Sequence, residues 1–237
     1  MKFSFKQIIA ACFLIGGTFL MLTLGTWQLQ RLEWKQGIIE ELDNQYNSSK
    51  LPLYNHESIV QEHSHGSKII VGHVRGQLIF SKKMFFGPKT KNKEVGYNVI
   101  VPLKFIPISS ENYILVNLGW ISEQEIEEYK TINRTRVRRI KGILREPDWN
   151  KFTPNNSPEN EVWTKINISE IAQVKNLHNI SPYMLYATEK INNARPLHQK
   201  WYPRNKHKQY AIFWFSMAFI FLGFFVLYAR SEKKKLS

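Results

Sequence analysis

The chain has 237 residues, 33 of them basic and 19 acidic, for a formal net charge of +14, and a single cysteine. One cysteine excludes a disulfide-stapled scaffold, and a basic excess points to an anionic partner, either nucleic acid or a membrane surface. The distribution of apolar residues decides between these. Two uncharged apolar runs, residues 8–24 and 210–229, stand at the two ends, and nothing comparable lies between them. A bilayer core of roughly 30 Å needs about 20 apolar residues in a helix, because every backbone polar group must be satisfied within the segment. Each run therefore reads as a transmembrane helix, and the basic charge between them suits anionic lipid headgroups better than nucleic acid.

The first run begins almost at Met1, with Lys2 and Lys6 ahead of it, and no small-x-small cleavage site precedes Trp27. It reads as a retained anchor rather than a signal peptide, and it lacks the Arg- and Ser-rich character of a mitochondrial transit peptide. These features describe a bacterial inner-membrane protein. The organisation expected is residues 1–27 as N-terminal tail and first span, 28–208 as one periplasmic domain, and 209–237 as second span and basic tail. Lys and Arg counts flanking the spans nearly balance, and a long insert crosses largely regardless of charge, so the short tails decide and both termini are placed in the cytoplasm.

Residues 27–42 keep helix formers with apolar Leu32, Ile39 and Leu42, so the first span is expected to continue as a helix, with Gly37 a weak point. Residues 68–78 alternate β-branched positions and read as the start of a strand pair, turning near Gly87-Pro88. Strands are expected at 97–105, 113–121, 136–144 and 183–187, short helices at 123–130 and 169–174, and a Pro/Asn/Ser-rich loop at 147–160. The fold class is thus a membrane protein of α+β type. Its two terminal helices flank one mostly antiparallel β domain, barrel-like or sandwich-like.

Four blocks then occur in order: Gly25-Thr-Trp27-Gln28-Leu-Gln30-Arg31-Leu-Glu-Trp34-Lys35, Gly96-Tyr97-Asn-Val-Ile-Val-Pro102, Val116-Asn117-Leu-Gly119-Trp120, and Asn205-Lys-His207-Lys-Gln209-Tyr210-Ala-Ile-Phe-Trp214-Phe215. Together with a span at each end, they resemble the surfeit locus protein 1 family of cytochrome c oxidase assembly factors. The resemblance covers nearly the whole chain. It implies cytoplasmic termini, a periplasmic domain, partnership with cytochrome c oxidase subunits, chiefly the catalytic subunit, and haem a bound at His207. Two positions depart from the family pattern: Leu118 stands where an arginine is usual, which puts a charged contact in doubt, and Lys208 where leucine is frequent.

As a residue, His207 precedes the second span by three positions, and Tyr210, Ala211 and Trp214 follow it on one helical stripe. A neutral imidazole ligates iron, and aromatic walls suit a flat porphyrin. The same residues also read as ordinary interfacial anchors. Trp27 and Arg31, one turn apart, mirror them at the first span, where Arg31 suits a haem propionate or a lipid phosphate, or simply snorkels. Both readings stand for each pair.

His56, His63, His65 and His73 cluster in sequence but lack the spacing of a metal site, and no Cys or Met cluster accompanies them for copper. His178 and His198 read as ordinary polar residues. Arg134, Arg136 and Arg138 share one face of a strand, either as a patch for acidic lipid or a partner or as a solvated face defending an edge. No Walker loop, nucleophile elbow, zinc-protease motif or dinucleotide fingerprint occurs, which places a binding or assembly role ahead of catalysis. Three functions remain open on sequence grounds: a haem a binding assembly factor, a cofactor-free scaffold for an oxidase intermediate, and an enzyme acting on haem or lipid.

Overall fold

The computed structural model describes residues 5–66, 69–107, 111–133, 135–150, 152–160 and 163–235. The chain divides into two compact units, one helical, formed by the residues up to Asp43 with those from Tyr202 onward, and one spanning Asn44–Trp201.

The helical unit contains most of α1 (Phe5–Asn47) and all of α5 (His207–Lys235). Both helices are long and apolar enough to cross a membrane. Helix α1 runs through Gly37 without interruption. Thr18, Thr23 and Thr26 each donate their hydroxyl to the carbonyl four residues earlier, at 2.8–2.9 Å, which satisfies those groups within the helix. The two helices approach closely where α1 carries glycine. A Cβ on Gly25 would meet the Phe215 ring at 2.7 Å, and one on Gly17 would meet Phe221 at 2.5 Å, so the missing side chains make room for the aromatic rings of α5. Ala211 and Ala218 are buried on α5. Asp43 and Tyr202 close the unit with a hydrogen bond from the phenol to the carboxylate.

The second unit is built on seven strands: β1 (Leu53–Tyr54), β2 (Ile69–Leu78), β3 (Met84–Lys91), β4 (Glu94–Phe105), β5 (Tyr113–Ser122), β6 (Arg136–Arg145) and β7 (Ile180–Ala187). Helices α2 (His56–Ser64), α3 (Ile126–Thr131) and α4 (Ile168–Lys175) connect them. The strand order is β1-β2-β6-β7-β5-β4-β3, and β2 also pairs with β4, so the circuit β2-β6-β7-β5-β4 returns on itself. Pairing is antiparallel except for β1 with β2 and β5 with β7. The sheet is therefore mixed.

Period-two alternation sorts the strands into two cores. One face gathers Val74, Leu78, Val101, Leu103, Ile114, Val116, Ile140, Leu144 and Leu185 inside the circuit. The opposite face carries Met84, Phe86, Ile100, Leu115, Ile143 and Met184 under Ile171 of α4 and Trp163 of the segment before it. Trp163 stacks on Phe86 at 5.9 Å between centroids, and its carbonyl accepts the Gly87 amide at 2.9 Å.

Residues 69–78 form one strand rather than the start of a hairpin, because their long partner is β6, paired from Ile69↔Arg145 to Leu78↔Arg136. The expected turn at Gly87-Pro88 lies inside β3, where the register shifts between Phe86 and Lys89; the chain turns instead at Asn92-Lys93, both at positive φ. The Glu62-His-Ser-His-Gly-Ser stretch, which reads as a loop in the sequence, holds the last turn of α2 and its C-cap His65, and His56 opens that helix. Asn55 caps it by accepting the Ser58 amide, while the Ser58 hydroxyl accepts the Asn55 amide.

The Asn-Leu-Gly-Trp block makes a bulge. Val99 pairs with Gly119 and Ile100 with Asn117, so Leu118 has no partner on β4. Its side chain is wholly buried, at 0% exposure, within the inner core. The Asn117 side chain accepts the Gly119 amide at 2.9 Å, and Trp120 and Arg195 exchange both backbone hydrogen bonds, at 2.8 and 2.9 Å. The Trp120 indole donates to the Lys89 carbonyl, with Arg195 at 5.1 Å and Lys91 at 5.9 Å from its ring.

Candidate functional site

The expected site residues all fall in the helical unit. His207 is the first residue of α5, half-buried, and its amide donates to the Asn205 side chain at 3.3 Å. Its Nδ1 lies 2.7 Å from Oε1 of Gln28 on α1. Gln28 is 8% exposed, one of three buried polar side chains among the described residues. An amide oxygen only accepts, so the contact places a proton on Nδ1, and in the neutral ring the lone pair then stands on Nε2. A second partner fixing tautomer and ring orientation is how proteins prepare a histidine for a metal. The donor chemistry therefore fits an iron ligand.

Gln28 stands on the seam that Gly17 and Gly25 begin, one turn beyond Gly25 at the lip of the apolar run. In the sequence Gln28 stands out only as part of the Gly25–Lys35 block; its signal is a polar residue continuing a small-residue stripe. Of the α5 stripe, Ala211 is turned into the unit and buried, Trp214 is half-buried with Phe213 edge-on at 5.1 Å, and Tyr210 is half exposed. On α1, Trp27 and Arg31 are exposed. The Arg31 guanidinium carbon lies 6.0 Å from the Trp27 ring and 4.7 Å from Trp34, with Lys35 at 5.3 Å from Trp34. Trp34, which sequence reasoning leaves without a role, is thus the closer partner, and the cation sits in a ladder of indoles.

The histidine group disperses. His56 packs edge-on to Phe105, His63 lies 2.5 Å from Glu146 and edge-on to Tyr183, and His73 meets Arg139 at 3.3 Å. No cluster of three metal-ligating side chains occurs among the described residues. Burial, then the Arg139 and Lys141 charges, lowers the His73 pKa, and burial, then Arg145 and Lys91, lowers that of His198. A depressed histidine pKa means the unfolded chain takes up the proton first, so stability is expected to fall as pH drops from the ordinary histidine value through the folded ones. Both rings should titrate below the ordinary histidine value in an NMR pH series; titration at or above it overturns the assignment.

Arg134 lies outside the described residues. Arg136 and Arg138 are on β6, which is paired to β2 on one side, so the run is not the lone edge its charges imply.

A SURF1 family model matches residues 16–219. The chain belongs to the SURF1 family. Among its relatives, the SURF1-like protein of Rickettsia prowazekii is 28% identical over 93% of this chain and 90% of the relative. The cytochrome oxidase assembly protein SHY1 of Saccharomyces cerevisiae is 27% identical over 63% of this chain and 40% of its own length. Surfeit locus protein 1 of Xenopus tropicalis is 25% identical, over 82% of this chain and 67% of its own. The matched region takes in the bulge at Leu118, the Gln28–His207 pair and the indole ladder, so these are features of a SURF1 family chain rather than of an appended segment.

Proposed function

We propose that this protein is an assembly factor for cytochrome c oxidase, anchored in a bacterial inner membrane by α1 and α5. It holds haem a as cargo at the lip of those helices and passes it to the oxidase catalytic subunit. Membership of the SURF1 family and the name of the yeast relative support the assembly role. The observation that carries the cargo reading is the 2.7 Å contact between Gln28 and Nδ1 of His207, which leaves Nε2 as a lone-pair donor.

In this reading His207 would supply a nitrogen ligand to the iron, Tyr210 and Trp214 would flank the group from α5, and Trp27 and Arg31 would offer an aromatic surface and a cation for a carboxylate on α1. Both termini are cytoplasmic, and the Asn44–Trp201 unit faces the periplasm, from which the cargo site is reached at the outer lip. The chain does no covalent chemistry here; it orients an imidazole and offers a cation.

The test is the haem content of the full chain purified in detergent from a host that makes haem a. Wild type is expected to show a Soret band, His207→Ala to lose it, and His178→Ala, an exposed histidine elsewhere, to keep it. A wild type without haem leaves the cofactor-free scaffold in its place, and a band unchanged in His207→Ala sinks ligation by His207.

A further inference from the structure

Strand β6 carries two arginines where its alternation calls for core residues. Leu144 and Ile140 lie inside the strand circuit, and the same face continues through Arg138 to Arg136. These two positions pair with Gly76 and Leu78 at the end of β2. On the other side, β7 accompanies β6 only from Gly142 to Arg145, with Thr188 reaching Lys141. The amino-terminal half of β6 therefore overhangs the circuit, and a cleft of about 490 Å³ opens beside it.

The cleft walls are held by directional bonds. The Tyr129 hydroxyl donates to the Ile191 carbonyl at 3.2 Å and accepts the Ala194 amide at 2.7 Å, which pins the turn bearing Asn192 and Asn193. Lys83 donates to the carbonyls of Lys130 and Ile132, at 2.9 and 3.1 Å, and fixes the segment that ends in Asn133. The cleft's carboxylate, Glu128, accepts from Asn193 at 3.2 Å. Arg136 and Arg138, by contrast, have no ion-pair or hydrogen-bond partner among the described side chains. Two guanidinium groups that continue the core row of a strand past the end of the circuit, Arg136 exposed and Arg138 half-buried, unneutralised in a concave and otherwise braced site, suit an oxyanion ligand.

We propose that this cleft binds a phosphate group, gripped by Arg136 and Arg138 and supplemented by the amides of Asn133 and Asn192. Phosphate is favoured over a lone carboxylate because its greater charge and additional oxygens let it engage both guanidinium forks and the two asparagine amides at once. The site is independent of His207. The phosphate is either that of a soluble molecule or that of a lipid headgroup.

The experiment uses the full chain in two arms. In the first, protein in phosphatidylcholine nanodiscs is titrated with inorganic phosphate by calorimetry at about 0.15 M salt, where screening limits diffuse attraction. In the second, the phosphatidylglycerol retained by protein purified from mixed-lipid micelles is counted. Saturable binding in either arm is expected to weaken about tenfold or more in Arg136→Gln/Arg138→Gln, and the arm that responds names the source. Arg136→Lys/Arg138→Lys keeps the charge and loses the forks, so it serves where the Gln pair misfolds, and it should also weaken binding. Phosphate and lipid binding that are both absent, or both unchanged in the variants, overturn the proposal.

Discussion

Gly119→Ala is expected to destabilise the β unit by about 3 kcal/mol or more, lowering the melting temperature of the full chain by roughly 10 °C. Gly119 has φ +123°, a conformation side chains rarely adopt, and a Cβ there would stand 2.2 Å from the Arg195 carbonyl oxygen and 2.5 Å from its carbonyl carbon. Neither atom is the end of a flexible side chain. Both belong to the backbone that exchanges two hydrogen bonds with Trp120, so relief of the clash must break the bridge holding the 188–195 segment against β5. Circular dichroism melting of wild type and variant in one detergent checks it. A midpoint within about 2 °C of wild type would show that the bulge tolerates a side chain and that this account of the Asn-Leu-Gly-Trp block is wrong.

That block shows where sequence reading reaches its limit. Its strand, 113–121, is legible because Val, Ile, Leu and Trp dominate it, and β5 runs from Tyr113 to Ser122. The bulge is not, since it depends on which residue of β4 faces which of β5, a long-range register that local pattern does not carry. Leu118 therefore reads as a missing charge in sequence and as a buried core residue in the fold. Helix α2 is missed for another reason: it has nine residues, and its stability comes from the Asn55–Ser58 capping box and the burial of Ile59 more than from periodicity. The β6 arginines read as a charged edge because alternation reveals a shared face but not that the strand runs on past β7 and carries that face beyond the core. At the candidate site, the residue types of His207, Tyr210, Trp214, Trp27 and Arg31 are visible in the chain. What sequence spacing leaves unseen is the partner across the seam, because Gln28 and His207 are 179 positions apart.

Gln28→Leu is expected to weaken haem a binding by about 10- to 100-fold, the usual cost of removing the partner that orients a metal-ligating histidine. Leucine keeps the bulk beside Gly25 and the apolar seam, so the helix pair should survive while the imidazole loses the acceptor for Nδ1–H. Glutamate at the same place restores an acceptor and should recover much of the affinity. A double variant, His207→Ala/Gln28→Leu, should bind no worse than His207→Ala alone, because the glutamine acts through the histidine. A readout without haem separates this from the cargo reading: nitrogen NMR of the His207 ring should show the Nδ1–H tautomer in wild type and a loss of that preference in Gln28→Leu. Unchanged tautomer populations would remove Gln28 from the site whatever the haem content. Unchanged haem affinity with a shifted tautomer would leave the hydrogen bond real and the ligand role of His207 without support.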